Sequence, residues 1–245
     1  MFKANSLKNL TTLFVGLITL LMTSQAMAGI TIANTRVVYP VGTAEVSVQL
    51  NNNSSAPAMA QAWVDEGDAN SSPSDSKAPF FIAPAIFRMA PNQSQMLRVV
   101  FTGKPLPVDR ESLFWLNVLD VPPEAKTTAN HLQFAFRTRI KLFIRPAGLV
   151  GSVKEAAGTL RWQAIPSKKG AMSVTNSSPY YLSFSEIDVQ SQGKTLKNEG
   201  GGMVAPFSTT ILTVQSQNAL SSGSKVHYLA IGDLGEALPG SASLN

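Results

Sequence analysis

The chain has 245 residues, of which 44% are hydrophobic and only 14% charged, against roughly 25% charged in an ordinary globular domain. That balance excludes disorder driven by charge and suffices for one large domain or two of about 100 residues each. Cysteine is absent and the histidines are only His131 and His227, which excludes disulfide scaffolds, thiolate zinc sites and cysteine nucleophiles and argues against a multi-histidine metal centre.

The net charge of +5 is raised by the first 28 residues. Lys3 and Lys8 give a positive start, Leu10 to Met22 an apolar run, and Ala26-Met27-Ala28 a small-x-small cleavage signal. The run is shorter than the about 20 residues of a membrane span, so residues 1–28 read as a cleaved secretory signal peptide, with an uncleaved anchor as the alternative. Without Lys3 and Lys8 the charge falls from +5 to +3. A mildly basic, exported chain beginning at Gly29 gives no reason to expect nucleic acid as a partner.

From Gly29 onward the apolar period is mostly two, and short β-rich runs are broken by Pro, Gly, Asn and Ser. The pattern predicts strands over 30–39, 44–50, 58–65, 80–89, 93–102, 113–121 and 131–145. Seven such runs suggest an immunoglobulin-type β-sandwich. Residues 147–158 hold few large apolar side chains and read as a linker. A second set of strands follows over 159–165, 171–175, 180–189, 209–214 and 225–231, which predicts a second, smaller sandwich. No amphipathic helix is evident. Residues 232–245 are thin in β-formers, so the last strand is expected to be short or absent.

Catalytic patterns are missing. There is no G-x-S-x-G nucleophile elbow, and Gly200-Gly201-Gly202 lacks the Lys-Ser/Thr of a phosphate loop, so it reads as a plain loop. Asp65, Glu66 and Asp68 could hold a cation through oxygens, but a solvated hairpin end is the simpler reading. The run 131–145 is unusual. Its even positions are Leu132, Phe134, Phe136, Thr138, Ile140 and Leu142; its odd positions include Gln133, Arg137, Arg139, Lys141 and Arg145. Periodicity fits an ordinary sandwich strand with cations in solvent. The sharper alternative is a strand that offers its apolar side chains to another protein, and a run longer than the usual five or six residues favours it slightly.

One stretch is specific: Leu106-Pro107-Val108-Asp109-Arg110-Glu111-Ser112-Leu113-Phe114-Trp115-Leu116-Asn117-Val118-Leu119-Asp120-Val121-Pro122-Pro123. With Thr35-Arg36, Ala60-Gln61-Ala62-Trp63, the run Arg139 to Pro146, Asn176 to Tyr181 and Gly232-Asp233, it resembles the periplasmic pilus (fimbrial) chaperones of the bacterial chaperone–usher pathway. The resemblance covers essentially all of the mature chain. It implies an all-β protein of two immunoglobulin-like β-sandwich domains arranged at an angle with a cleft between them, here residues 29–148 and 149–245. It implies an ATP-independent chaperone, without catalysis, cofactor or metal, that caps pilus subunits (pilins or a tip adhesin) by donor-strand complementation and delivers them to an outer-membrane usher.

By the same resemblance Leu132, Phe134 and Phe136 are the donated side chains, and Arg36 and Lys141 hold the subunit's C-terminal carboxylate. Glu111, Arg145 and Asp233 form an ion cluster between the domains. The short segment between Val121 and His131 points to the short-loop subgroup, which serves rod-like pili. An exposed apolar strand would also let two free copies cap one another as a homodimer. Two other readings stay open from sequence: a structural pilus subunit or adhesin, and a secreted β-sandwich hydrolase.

Overall fold

The computed structural model describes residues 29–124, 132–198 and 200–245. The expected signal peptide, 1–28, and His131 lie outside the described residues.

The first half of the chain builds nine strands. They are β1 (Ile30–Ile32), β2 (Arg36–Pro40), β3 (Val46–Asn52), β4 (Ala58–Asp65), β5 (Phe80–Ala83), β6 (Ile86–Met89), β7 (Ser94–Phe101), β8 (Ser112–Val121) and β9 (Phe136–Arg145). One sheet has the order β1-β3-β7-β5 and the facing one the order β2-β9-β8-β4-β6. Two expected strands are split. The run 30–39 breaks at 33–35 and sends its halves to different sheets, and the run 80–89 breaks at Pro84, which has no N–H to give to a ladder. The core between the sheets is closed by alternating inward residues, among them Leu50, Leu97, Leu116 and Leu142.

A short helix follows, α1 (Val153–Gly158), in the stretch expected to be a linker. It is only six residues long, so no apolar stripe could announce it. The Ser152 hydroxyl caps it by accepting the Glu155 N–H at 3.2 Å, and the Tyr228 hydroxyl anchors it by donating to the Ala157 carbonyl at 2.7 Å.

The second half forms β10 (Arg161–Ala164), β11 (Ala171–Asn176), β12 (Leu182–Ser191), β13 (Lys194–Lys197), β14 (Gly202–Val204), β15 (Ser208–Thr213), β16 (Lys225–Ile231) and β17 (Ala237–Ser243). They pair as β10-β11-β15 and as β13-β12-β16-β17, with β14 also on β12. A second, separate core packs between them around Trp162, Phe184 and Tyr228, whose rings lie 5.3–5.7 Å apart. Each such side chain contributes roughly 1.5–3 kcal/mol on burial.

Three expectations are corrected here. β17 is a full seven-residue strand, paired with β16 from Lys225↔Ser243 to Ile231↔Ala237, where little or none was expected. Its poor β-formers Pro239 and Gly240 are tolerated because it is an edge strand. Strands β13 and β14 carried no clear pattern and were not expected. The glycine run 200–202 ends in β14 rather than being all loop. There Gly201 has φ +61 and a Cβ would lie 2.2 Å from the Phe184 carbonyl oxygen, so only glycine fits.

Candidate functional site

Strand β9 organises the site. It pairs antiparallel with β8 over nine of its ten residues, from Asp120↔Phe136 to Ser112↔Ile144. Its other edge pairs with β2, in parallel, only from Arg36↔Lys141 to Pro40↔Arg145. Residues 136–140 therefore have one edge without a strand partner among the described residues. The even-numbered row changes character at the same place. Ile140 and Leu142 are buried in the core. Phe136, Phe134 and Leu132 are 66%, 62% and 85% exposed. Residues 132–135 have no strand pairing, so the expected strand 131–145 begins only at Phe136.

The odd-numbered row is not a solvated basic face. Arg139 donates to both oxygens of Asp65, at 3.0 Å through Nε. Arg137 donates to the Asn117 side-chain oxygen at 2.9 and 2.7 Å. The guanidinium of Arg137 lies over the Trp63 ring at 4.7 Å and that of Arg139 over Trp115 at 4.1 Å. Both earlier readings of Asp65 are thus overturned. It is neither a cation ligand nor a solvated hairpin end but a buried carboxylate occupied by Arg139 and Asn117. Burial alone would raise it, but the hydrogen bonds from Arg139, Asn117 and the Gly67 N–H outweigh that and hold it below its ordinary value. Arg137 also donates to the Ala69 carbonyl at 2.8 Å, which ties the serine-rich loop 66–79 to β9.

The remaining sequence-predicted residues fall into two groups at the junction of the sandwiches. Arg36 and Lys141 are opposite one another across the β2–β9 pairing. Arg36 is buried, donates to the Ile231 carbonyl at 2.8 Å and lies over the Phe143 ring at 5.8 Å. Its Nε has no hydrogen-bond partner among the described residues. Lys141 Nζ donates to the Ser183 hydroxyl at 2.7 Å. Burial, with a smaller push from Arg36, brings the Lys141 ammonium down from 10.5 to about 8. Two cations side by side, each with donors still to spare, can both donate to a single anionic group. Ser183 and Ile231, from β12 and β16, help to position these cations. No sequence pattern marked them, because their contribution depends on how the second sandwich docks.

Glu111, Arg145 and Asp233 lie together. Arg145 Nε donates to Glu111 at 2.7 Å, and its two terminal nitrogens form a fork on Asp233 at 2.6 and 2.7 Å. The second Glu111 oxygen accepts the Tyr181 N–H at 2.7 Å. Burial pushes the Glu111 carboxyl up, against the pull of Arg145. Burial also opposes the Arg145 charge, but Asp233 and Glu111 outweigh it and hold that group above its ordinary value. Contacts from both sandwiches thus converge on one guanidinium.

Comparisons with known proteins agree with this architecture. Residues 29–150 match the pili and flagellar-assembly chaperone family, PapD N-terminal domain, and residues 155–242 match the pili assembly chaperone PapD C-terminal domain. A probable fimbrial chaperone of Escherichia coli K12, YadV, is 42% identical over 227 residues, aligning 90% of this chain with 92% of its own. The crystal structure of the YadV chaperone superposes with a TM-score of 0.77 at 39% identity, over 89% of this chain and all of that one. The SafB chaperone, solved in complex with the Salmonella enterica SafA pilin, gives a TM-score of 0.74 at 30% identity, over 90% of this chain and 99% of the other. On two domain matches and this level of identity, the chain belongs to the PapD family of pilus-assembly chaperones.

Proposed function

We propose that this chain is an ATP-independent periplasmic chaperone that captures pilus subunits, pilins or a tip adhesin, by lending them β9 and the residues before it, and that it passes them to an outer-membrane usher. The family is one of chaperones, not enzymes, and the reading invokes no cofactor or metal. The observation that carries it is the change along β9. Its apolar row is buried as far as Ile140 and exposed from Phe136 back to Leu132, and its backbone edge opens where β2 ends. A subunit strand added to that edge gains ladder hydrogen bonds. Burying Leu132, Phe134 and Phe136 contributes roughly 1.5–3 kcal/mol each before ordering costs.

Arg36 and Lys141 take the subunit's C-terminal carboxylate in this reading, and that anchor fixes the register. A slip of one residue would turn the apolar row to the wrong face. The Glu111–Arg145–Asp233 cluster sets the angle between a first domain, 29–148, and a second, 149–245. That division is supported by the two sandwiches with separate cores. Without a client, the same exposed row supports a self-capping homodimer.

The test is a pull-down from periplasm with tagged wild type, Lys141→Ala and Phe134→Asp. A small β-rich subunit recovered with the wild type and lost with both variants is the expected result. Equal recovery with all three proteins would sink the reading.

A further inference from the structure

Asp120 sits near the end of β8, opposite Phe136 of β9 and Ala60 of β4. Its carboxylate is buried and reaches across to the other sheet. There Oδ2 accepts the Ile30 N–H at 2.9 Å. Oδ1 has no hydrogen-bond partner among the described residues. One neutral donor is meagre compensation for a carboxylate taken out of water.

The residue packed against that carboxylate is Gly29. A Cβ at this position would lie 2.0 Å from Asp120 Oδ2, so the Gly29 backbone is packed directly against the carboxylate. Standard bond lengths then put the Gly29 nitrogen within about 5 Å of the carboxylate. Gly29 is also the residue that follows Ala26-Met27-Ala28, the expected cleavage signal. Before cleavage its nitrogen is an uncharged amide with one N–H. Hydrolysis of the Ala28–Gly29 bond adds one water: the oxygen goes to the Ala28 carboxylate and the protons to the nitrogen, which becomes an ammonium with three donors.

We propose that Asp120 is the receptor for the α-ammonium of Gly29, so that removal of the leader completes a buried ion pair between the two sheets. The charge created by processing arises beside a carboxylate whose one donor is the Ile30 N–H and whose other oxygen has none among the described residues. The pair pins β1 onto β8 at the open end of the first sandwich, next to Phe136, where the exposed row begins. An unprocessed chain has the buried acid without its counterion, and its first sandwich is finished only after release from the leader.

The test compares purified protein beginning at a free Gly29 with its Nα-acetylated form, each with and without Asp120→Asn. Acetylation and the substitution should each lower the urea midpoint by the same amount, and together they should lower it no further. Additive losses, or a loss on substitution with none on acetylation, would overturn the proposal. If Asp120→Asn does not fold, acylation of the wild-type α-amine decides. It should be slower by about tenfold or more in the native protein than in urea, the equivalent of one unit of pKa; equal rates overturn the proposal. Subunit capture is not the readout, so this result stands apart from the chaperone reading.

Discussion

At the scale of single residues, Lys141 gives the molecule a pH response. Its ammonium is brought down to about 8 in the fold, below its unfolded value. Below pH 8 the folded protein carries the full cost of that buried charge. Between about 8 and the unfolded value the folded state has released the proton and the unfolded state has not, so stability rises with pH. Capture of a carboxylate should move the other way, weakening above pH 8 as the anchor loses its charge. Urea midpoints and binding of a labelled peptide with a free C-terminal carboxylate, measured from pH 7 to 10, should show these opposite slopes. Lys141→Met should abolish both. Asp65 makes a different case. Removing it by Asp65→Ala leaves Arg139 without its partner in a poorly solvated place, and the fold should lose about 3 kcal/mol by chemical denaturation. The sequence flagged Asp65 but could not say what it meets, because Arg139 and Asn117 lie far along the chain and only the β4–β8–β9 register brings them together.

At the scale of the element, β9 carries one alternating pattern through two environments. Phe134→Ala removes an exposed ring and should change the stability of the free protein by no more than about 0.5 kcal/mol. Leu142→Ala, on the same row, empties a core position and should cost about 2–5 kcal/mol. Binding should invert the order, with Phe134→Ala reducing subunit capture by tenfold or more. Thermal or urea unfolding beside a capture assay would show both. The period of two was legible in the sequence, as was the mixture of apolar and basic rows. Where the core stops was not, because that depends on where β2 leaves the edge of β9. For the same reason β17 was missed. Its residues Leu238, Pro239 and Gly240 have little intrinsic preference for a strand, and the pairing with β16 holds them there. Helix α1 escaped because six residues held by a cap and a tyrosine hydroxyl make no periodic signal.

At the scale of the whole molecule, two separate cores are joined through few groups, and Arg145 is central among them. Arg145→Ala would leave Glu111 buried without its cation and free Asp233 from the first sandwich. Calorimetry should then resolve two transitions where one is expected of the parent protein, and solution scattering should report a wider spread of shapes. The cluster was readable by resemblance, since Glu111 and Arg145 lie in the best-matched segments. The support from the Tyr181 N–H, and from the Pro179 carbonyl that accepts the Glu111 N–H at 3.0 Å, was not, because it comes through backbone groups. The limited reach of β2 has one more consequence. The free edge of β9 ends where β2 begins, at the pair Arg36 and Lys141, so an added strand meets an end-stop there. With Arg36 and Lys141 holding the client's C-terminal carboxylate as proposed, such a device would read the position of a chain terminus rather than the residues that lead to it. A client carrying an affinity tag fused to its C-terminus would overrun the stop and escape capture, whereas the same tag at its other end would pass unnoticed.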